Sequence, residues 1–141
     1  MARAEYEEFA ETLDALDDED MRFEYILDLA KAQDREGFPE AWMTDENLMH
    51  GCMSRVWIVH DKQGDAHYFK GASEAAIVKG LVHMMTRSFS GLTGQEIAEF
   101  SVEDVRRLNL GALTFQRQVG MMAMLKHMQK LAGRAPAENE A

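Results

Sequence analysis

The only cysteine of the chain, Cys52, stands where a polar segment meets an apolar one. A single thiol cannot form an internal disulfide, so it is either a small buried hydrophobe or a reactive group. Gly51 precedes it, and His50 and Arg55 lie close by in sequence. Glycine suits a turn that presents a side chain, and nearby cations favour the thiolate, which is the nucleophilic form. These neighbours favour a reactive thiol.

Two other uses of a cysteine fit the sequence less well. Structural zinc usually has four ligands, often two or more of them cysteines, and no Cys-x-x-Cys or His-x-x-x-His pair accompanies His50, Cys52, His60, His67 and His83. An iron–sulfur cluster generally needs three or four protein ligands. A cysteine hydrolase needs a histidine base and a group that orients it, and no local motif supplies them. We therefore predict neither a metal site nor a self-sufficient hydrolase.

Composition limits the class of protein. A chain of 141 residues with 46% hydrophobic content is expected to form one domain. We place that domain at 1–132 and a disordered tail without apolar period at 133–141. The formal net charge of −10 opposes binding to nucleic acid and fits a solvated acidic surface. No apolar run approaches the roughly 20 residues of a membrane helix, and the N-terminus lacks a signal-peptide core, so we expect a cytoplasmic protein.

Hydrophobic periodicity predicts helices, then a hairpin, then helices. Apolar residues at helical spacing on either side of Asp17-Asp18 predict an α-hairpin. Residues 54–60 and 65–70 are β-branched and aromatic around a predicted turn at 61–64, which indicates a β-hairpin. Cys52 then immediately precedes the first strand of that hairpin.

The second half of the chain carries helix signals. Ser73 is the expected cap of a helix that ends near Gly91. Thr93 with Glu96, and Ser101 with Asp104, have capping-box spacing before two short helices. A last helix follows, and its methionines, like those at 84 and 85, recur at helical spacing, so we assign them to the core.

Three segments resemble the SufE/CsdE family of sulfur acceptor proteins, in the same order along the chain. The run His50–Trp57 is similar to the family's cysteine motif. The run Gly71–Leu81 is similar to its strand-to-helix segment, and Leu113–Met121 to the start of its last helix. The resemblance covers roughly residues 8–132 and departs from the family at Met53 and at Phe115-Gln116.

The resemblance implies a fold and a chemistry. The fold is α+β, with a small antiparallel sheet packed with N-terminal and C-terminal helices, as in SufE and IscU. Cys52 would accept persulfide sulfur from a cysteine desulfurase of the SufS or CsdA type and pass it to an iron–sulfur scaffold or another sulfur acceptor. No cofactor of its own is implied, because the pyridoxal phosphate belongs to the partner.

The chemistry of the residues around the thiol suggests a role for each of them. Arg55 would stabilise the thiolate or persulfide, Gly51 would let the loop flex, and His50 would assist protonation. Arg117 matches an arginine of the last-helix motif and either lies near the loop or pairs with an acidic residue. The alternative function is a docking module that stimulates a desulfurase without carrying sulfur.

Overall fold

A computed structural model describes residues 3–51, 54–108 and 115–140, with only the backbone described for 115–117 and 134–140. The described residues form an α+β fold, and this confirms the predicted class. In chain order the helices and strands are α1 (Ala4–Ala15), α2 (Glu19–Glu36), β1 (Leu48–Met49), β2 (Val56–Gln63), β3 (Ala66–Ser73), α3 (Ala76–Phe89), β4 (Leu92–Thr93), α4 (Gly94–Ala98), α5 (Val102–Arg107) and α6 (Phe115–Glu140), with a single 3-10 turn (Glu40–Trp42) between α2 and β1.

The sheet is antiparallel and has the strand order β1-β2-β3-β4. Its centre is the β2–β3 hairpin, which runs from the Val56–Ser73 pair to the Gln63–Ala66 pair. The predicted four-residue turn at 61–64 is wrong, because β2 continues to Gln63 and only two residues connect the strands. Gly64 has a φ of 61°. Two-residue hairpin turns need a positive φ, and glycine adopts it without steric cost.

The two helices of the predicted α-hairpin are confirmed as α1 and α2, but they pack mainly against α3 rather than against each other. Helix α3 is buried along most of its length and also covers β3. Gly80 of α3 lies directly under the backbone of Ile26 in α2, and this contact lets the two helix axes approach closely. Helix α3 is therefore the central support of the fold.

Two of the three predicted helix starts are confirmed. Thr93 with Glu96 and Ser101 with Asp104 form complete capping boxes, in which the side chain of each partner bonds the backbone N–H of the other. The prediction for Ser73 is wrong, because the strand extends through this residue and Ala75 is the N-cap of α3. The Ser73 hydroxyl instead donates to the backbone carbonyl of Arg55 at 2.7 Å.

Methionine side chains fill the core between α3, α6 and the sheet, as predicted. The most buried of them are Met84, Met85, Met121, Met124 and Met128. Trp57 of β2 also lies in the core and is 6% exposed. Unbranched thioethers suit the irregular space where three elements meet.

The backbone of α6 includes positions 133–140. The side chains from 134 onward lie outside the described residues, and the predicted domain limit at 132 with a disordered tail stays a prediction. Among the helices that the structure describes, none is both long and apolar enough to cross a membrane.

Candidate functional site

The segment between β1 and β2 carries the cysteine. Leu48 and Met49 of β1 pair with Trp57 and Val56 of β2, so the chain must reverse within residues 50–55, here called the cysteine loop. Cys52 and Met53 lie outside the described residues, but the residues on both sides of them are described. The geometry of the site is therefore given by the two ends of the cysteine loop.

Gly51 forms the first end of the loop. Its φ of 107° lies in the left-handed region, where a Cβ is strained. A Cβ at this position would also lie 2.9 Å from the Cβ of Ala123 in α6. Both observations require glycine here, and the close approach places the residue before Cys52 directly against the last helix. The predicted role of Gly51 in outward flexing is not tested by this geometry.

Arg55 forms the second end of the loop, and it is held at three points. Its guanidinium donates two hydrogen bonds to the Glu74 carboxylate, at 3.1 and 2.9 Å. It also lies 5.2 Å from the centre of the Trp57 ring, within cation–π distance. Its backbone carbonyl accepts the bond from Ser73 described above. The arginine three residues after the cysteine is thus fixed on the sheet although its side chain is exposed.

The Arg55–Glu74 pair affects the titration of both groups. Hydrogen bonding to Glu74 raises the pKa of Arg55, and hydrogen bonding from Arg55 lowers the pKa of Glu74. Both groups are therefore charged across the physiological range, and Glu74 offsets part of the positive charge that Arg55 brings to the loop. An exposed pair of this kind contributes little to stability, so its effect is mainly on geometry and local potential.

The remaining predicted site residues are placed as follows. His50 follows β1 directly and is exposed. The backbone of Arg117 is in the first turn of α6, but its side chain lies outside the described residues. The structure thus brings Gly51 and Arg55 to opposite ends of the loop, with His50 beside the first end.

Three residues of the site were missed at the sequence level: Ser73, Glu74 and Ala123. The first two follow from strand register. Ser73 pairs with Val56, and continuing the antiparallel register by one residue places Glu74 opposite Arg55. The shorter strands predicted from composition concealed that pairing. The contact of Ala123 with the loop joins two segments far apart in sequence, and no local pattern signals it.

No group of three or more histidine, cysteine or acidic side chains arranged to hold a metal ion occurs within residues 3–51, 54–108 and the described side chains of α6. His60 and His67 bond to each other, and His83 bonds to Gln33. Imidazole is the commonest side-chain ligand of metals, and these three imidazoles already have hydrogen-bond partners.

Gly51→Ala should destabilise the protein by about 1–3 kcal/mol from backbone strain, with an added cost from the contact with Ala123. The measurement is urea unfolding. Gly91→Ala is the matched control, because Gly91 has a φ of 88° and nothing within 4 Å of its Cβ position. The second change Ala123→Gly has its own helix-propensity cost, but this cost should be smaller in Gly51→Ala than in the parent, because the change relieves the overlap. Equal losses in both glycine variants, with no such coupling to Ala123→Gly, would contradict close packing of the loop on α6.

Comparisons with known proteins find a matching family model and similar proteins. The family model described as "SufE: Fe-S metabolism associated domain" matches residues 7–132. An uncharacterized SufE-like protein of Rhizobium meliloti (strain 1021) is 36% identical over 129 residues, covering 86% of this chain and 91% of the relative. An uncharacterized SufE-like protein of Rhizobium etli is 34% identical over 123 residues, covering 83% and 82%.

A solved structure shares the fold. The solution structure of a hypothetical protein from Thermus thermophilus superposes with a TM-score of 0.77 at 18% identity, covering 97% of this chain and 99% of that chain. At this identity the likeness concerns the fold alone. The family match spans nearly the whole described structure, including both ends of the cysteine loop, and the chain belongs to the SufE family.

Proposed function

We propose that this protein is a sulfur acceptor and carrier that works with a cysteine desulfurase, with Cys52 as the acceptor. Membership of the SufE family supports a role associated with a desulfurase and with iron–sulfur metabolism. The observation that carries the proposal is that both ends of the loop around the single cysteine are held, by Gly51 against α6 and by Arg55 on the sheet. Such anchoring suits a thiol that has to meet a partner's active site.

The transfer is a thiol–persulfide exchange. The Cys52 thiolate attacks the outer sulfur of a persulfide on the desulfurase, a new S–S bond forms at Cys52, and the S–S bond on the desulfurase breaks. The desulfurase cysteine leaves as a thiolate, and Cys52 becomes a persulfide. One sulfur atom moves without an external oxidant or reductant, so one cysteine on this chain is sufficient.

The neighbours of Cys52 assist this exchange in three ways. Arg55 supplies a fixed positive charge that favours the thiolate and the persulfide anion. Gly51 permits the backbone turn that a residue with a Cβ would strain. His50 is exposed beside the loop and can exchange protons with the sulfur. Arg117, at the start of α6, is a further candidate to stabilise the persulfide anion.

The partner is a pyridoxal-phosphate cysteine desulfurase of the SufS or CsdA type. This protein removes the persulfide sulfur from that enzyme and so stimulates its turnover. The pyridoxal phosphate remains in that enzyme, and the persulfide on Cys52 is the only intermediate on this chain. The sulfur then passes to an iron–sulfur scaffold or another acceptor, and we place the whole exchange in the cytoplasm. Nucleic acid and membrane have no role in this proposal.

Removing Glu74 tests whether Arg55 acts on the thiol. Glu74→Gln removes the charge that offsets Arg55, so the alkylation rate of Cys52 should reach its plateau at lower pH than in the parent. Arg55→Ala should shift the same profile to higher pH. Lys79→Ala breaks a surface pair with Asp34 on α2 and is the matched control, which should leave the profile unchanged. Identical profiles for all four proteins would remove the electrostatic role of Arg55.

The direct test is sulfur loading of the purified chain. The protein is mixed with a cysteine desulfurase, its pyridoxal phosphate and free cysteine, and the intact mass is measured. We expect a gain of one sulfur atom that maps to Cys52 and is reversed by a thiol reductant. Absence of this mass with desulfurases of both types would reject the carrier function.

A further inference from the structure

Two histidines form a bonded pair at the outer end of the hairpin, away from the cysteine loop. His60 of β2 and His67 of β3 are diagonal neighbours, and His60 Nε2 lies 2.7 Å from His67 Nδ1. Their rings are stacked at 5.0 Å with an interplanar angle of 14°. The His60 ring also stacks on Phe69, with their centroids 5.1 Å apart.

His67 also contacts the start of the next structural segment, chiefly through its backbone. His67 is 1% exposed, its backbone carbonyl accepts a 2.7 Å bond from the Gly91 N–H, and it pairs with Leu92 of β4. Its Nε2 lies 3.4 Å from the point that a Cβ would occupy on Gly94, the first residue of α4. His67 therefore connects the hairpin with the β4–α4 segment.

Few charges surround the two rings. Asp61 and Lys62 of β2 act on His60, and Lys62 also acts on His67. On α4 the carboxylate of Glu96 is occupied by its 2.9 Å bond from the Thr93 N–H. From α6, the Ala132 carbonyl lies 3.8 Å from the Gly94 Cβ position. Among the side chains that the structure describes, no carboxylate bonds to the buried His67 ring.

The bond between the rings accommodates a limited number of protons. When both rings are neutral, one nitrogen donates and the other accepts. One additional proton can sit on an outer nitrogen and leave the N–H···N bond intact. A second additional proton makes both facing nitrogens donors, so the bond must break and two cations face each other. The protons therefore bind to the pair in two coupled steps.

We propose that the His60–His67 pair is a pH-sensitive latch that holds β4 and the start of α4 on the hairpin and releases them in acid. The closed latch requires at least one facing nitrogen to be unprotonated. Opening removes His67 from its buried position and lets both rings take up protons in water. Helix α6 is bonded to the segment after β4 through Gln129, whose amide donates to the carbonyls of Ile97 and Phe100. Release of the latch thus loosens one support of the helix that also contacts Gly51.

The direction of the pH effect follows from the environment of the rings. Burial lowers the pKa of both His60 and His67, and in His60 the neighbouring ring lowers the pKa further. The closed state therefore binds fewer protons than the open state once the pH falls below about 6.5, the ordinary pKa of histidine. Each proton bound only by the open state raises the opening constant by up to tenfold per pH unit. Above that pH the open state gains no additional proton, so opening no longer depends on pH.

Amide hydrogen exchange between pH 5 and 7.5 tests the latch on the intact protein. After correction for the intrinsic exchange rate, protection of the Gly91 and Leu92 amides should fall by up to tenfold per pH unit for each linked proton. His60→Gln is the informative variant, because an amide can donate to or accept from His67 without titrating. Its protection at Gly91 and Leu92 should depend less steeply on pH than in the parent, because only the buried His67 still titrates.

A second buried imidazole provides the control. Burial also lowers the pKa of His83, which bonds to Gln33 at 2.9 Å and lies between α2 and α3. His83→Gln should keep the pH dependence at Gly91 and Leu92. Nitrogen-15 shifts of the rings identify which states carry protons. The proposal is overturned if His60→Gln and the parent show the same pH dependence, or if both rings become protonated while β4 stays protected.

Discussion

Cys52→Ser should abolish sulfur loading, reducing the persulfide mass gain to the background of a reaction without desulfurase. A serine hydroxyl is almost entirely protonated at neutral pH, whereas a thiol near a fixed cation is partly ionised. A hydroxyl also cannot form the S–S bond that holds the transferred sulfur. The chain has no other cysteine, so no second thiol can take over. The measurement is intact-protein mass after incubation with a desulfurase and free cysteine.

The same variant separates a carrier from a docking module. A carrier speeds the desulfurase by removing its persulfide, so Cys52→Ser and Cys52→Ala should both lose stimulation under turnover. A docking module would keep full stimulation in both variants. Circular dichroism and unfolding curves serve as the control, because the position lies between β1 and β2 and its replacement should leave the fold intact. Persulfide formation retained in Cys52→Ser would contradict the assignment of the acceptor.

Local signals in the sequence predicted much of the fold. The capping pairs Thr93–Glu96 and Ser101–Asp104 are correct because both partners of each lie within one turn. Five methionines of α3 and α6 recur at helical spacing, which places them on the helix faces that point into the core: Met84, Met85, Met121, Met124 and Met128. The position of the cysteine before β2 follows from alternation and from the glycine that precedes it.

Contacts between distant segments could not be predicted in this way. The pairing of Arg55 with Glu74 depends on the exact length of two strands, and composition placed their ends too early. The hydroxyl of Ser73 was expected to cap a helix, but strand pairing uses it to hold the Arg55 carbonyl. The contact of Gly51 with Ala123 depends on how α6 crosses the loop. Each error reflects tertiary packing that overrides a correct local preference.

The tightest of these distant contacts joins α2 and α3 at Gly80. A Cβ on this residue would overlap the backbone carbonyl of Ile26 and lie 2.7 Å from its Cγ2. A side chain can move to relieve such an overlap, but a helix carbonyl moves only with its helix. Lys79, next in sequence, bonds Asp34 of α2 at 2.7 Å, and the Gln33–His83 bond also joins the two helices. Separating α2 from α3 would disturb these polar contacts as well.

Gly80→Ala should therefore destabilise the protein by about 3 kcal/mol, at the upper end of the usual cost of overpacking, and lower Tm by roughly 10 °C. Gly133→Ala in α6 is the matched control, because Gly133 is helical and exposed with nothing within 4 Å of its Cβ position. That change should be neutral or stabilise by up to about 1 kcal/mol, since alanine is the better helix former. Thermal and urea unfolding of both variants measure the difference. If Gly80→Ala is as stable as Gly133→Ala, the two helices do not approach each other as closely as described, and α3 is not the central support of the fold.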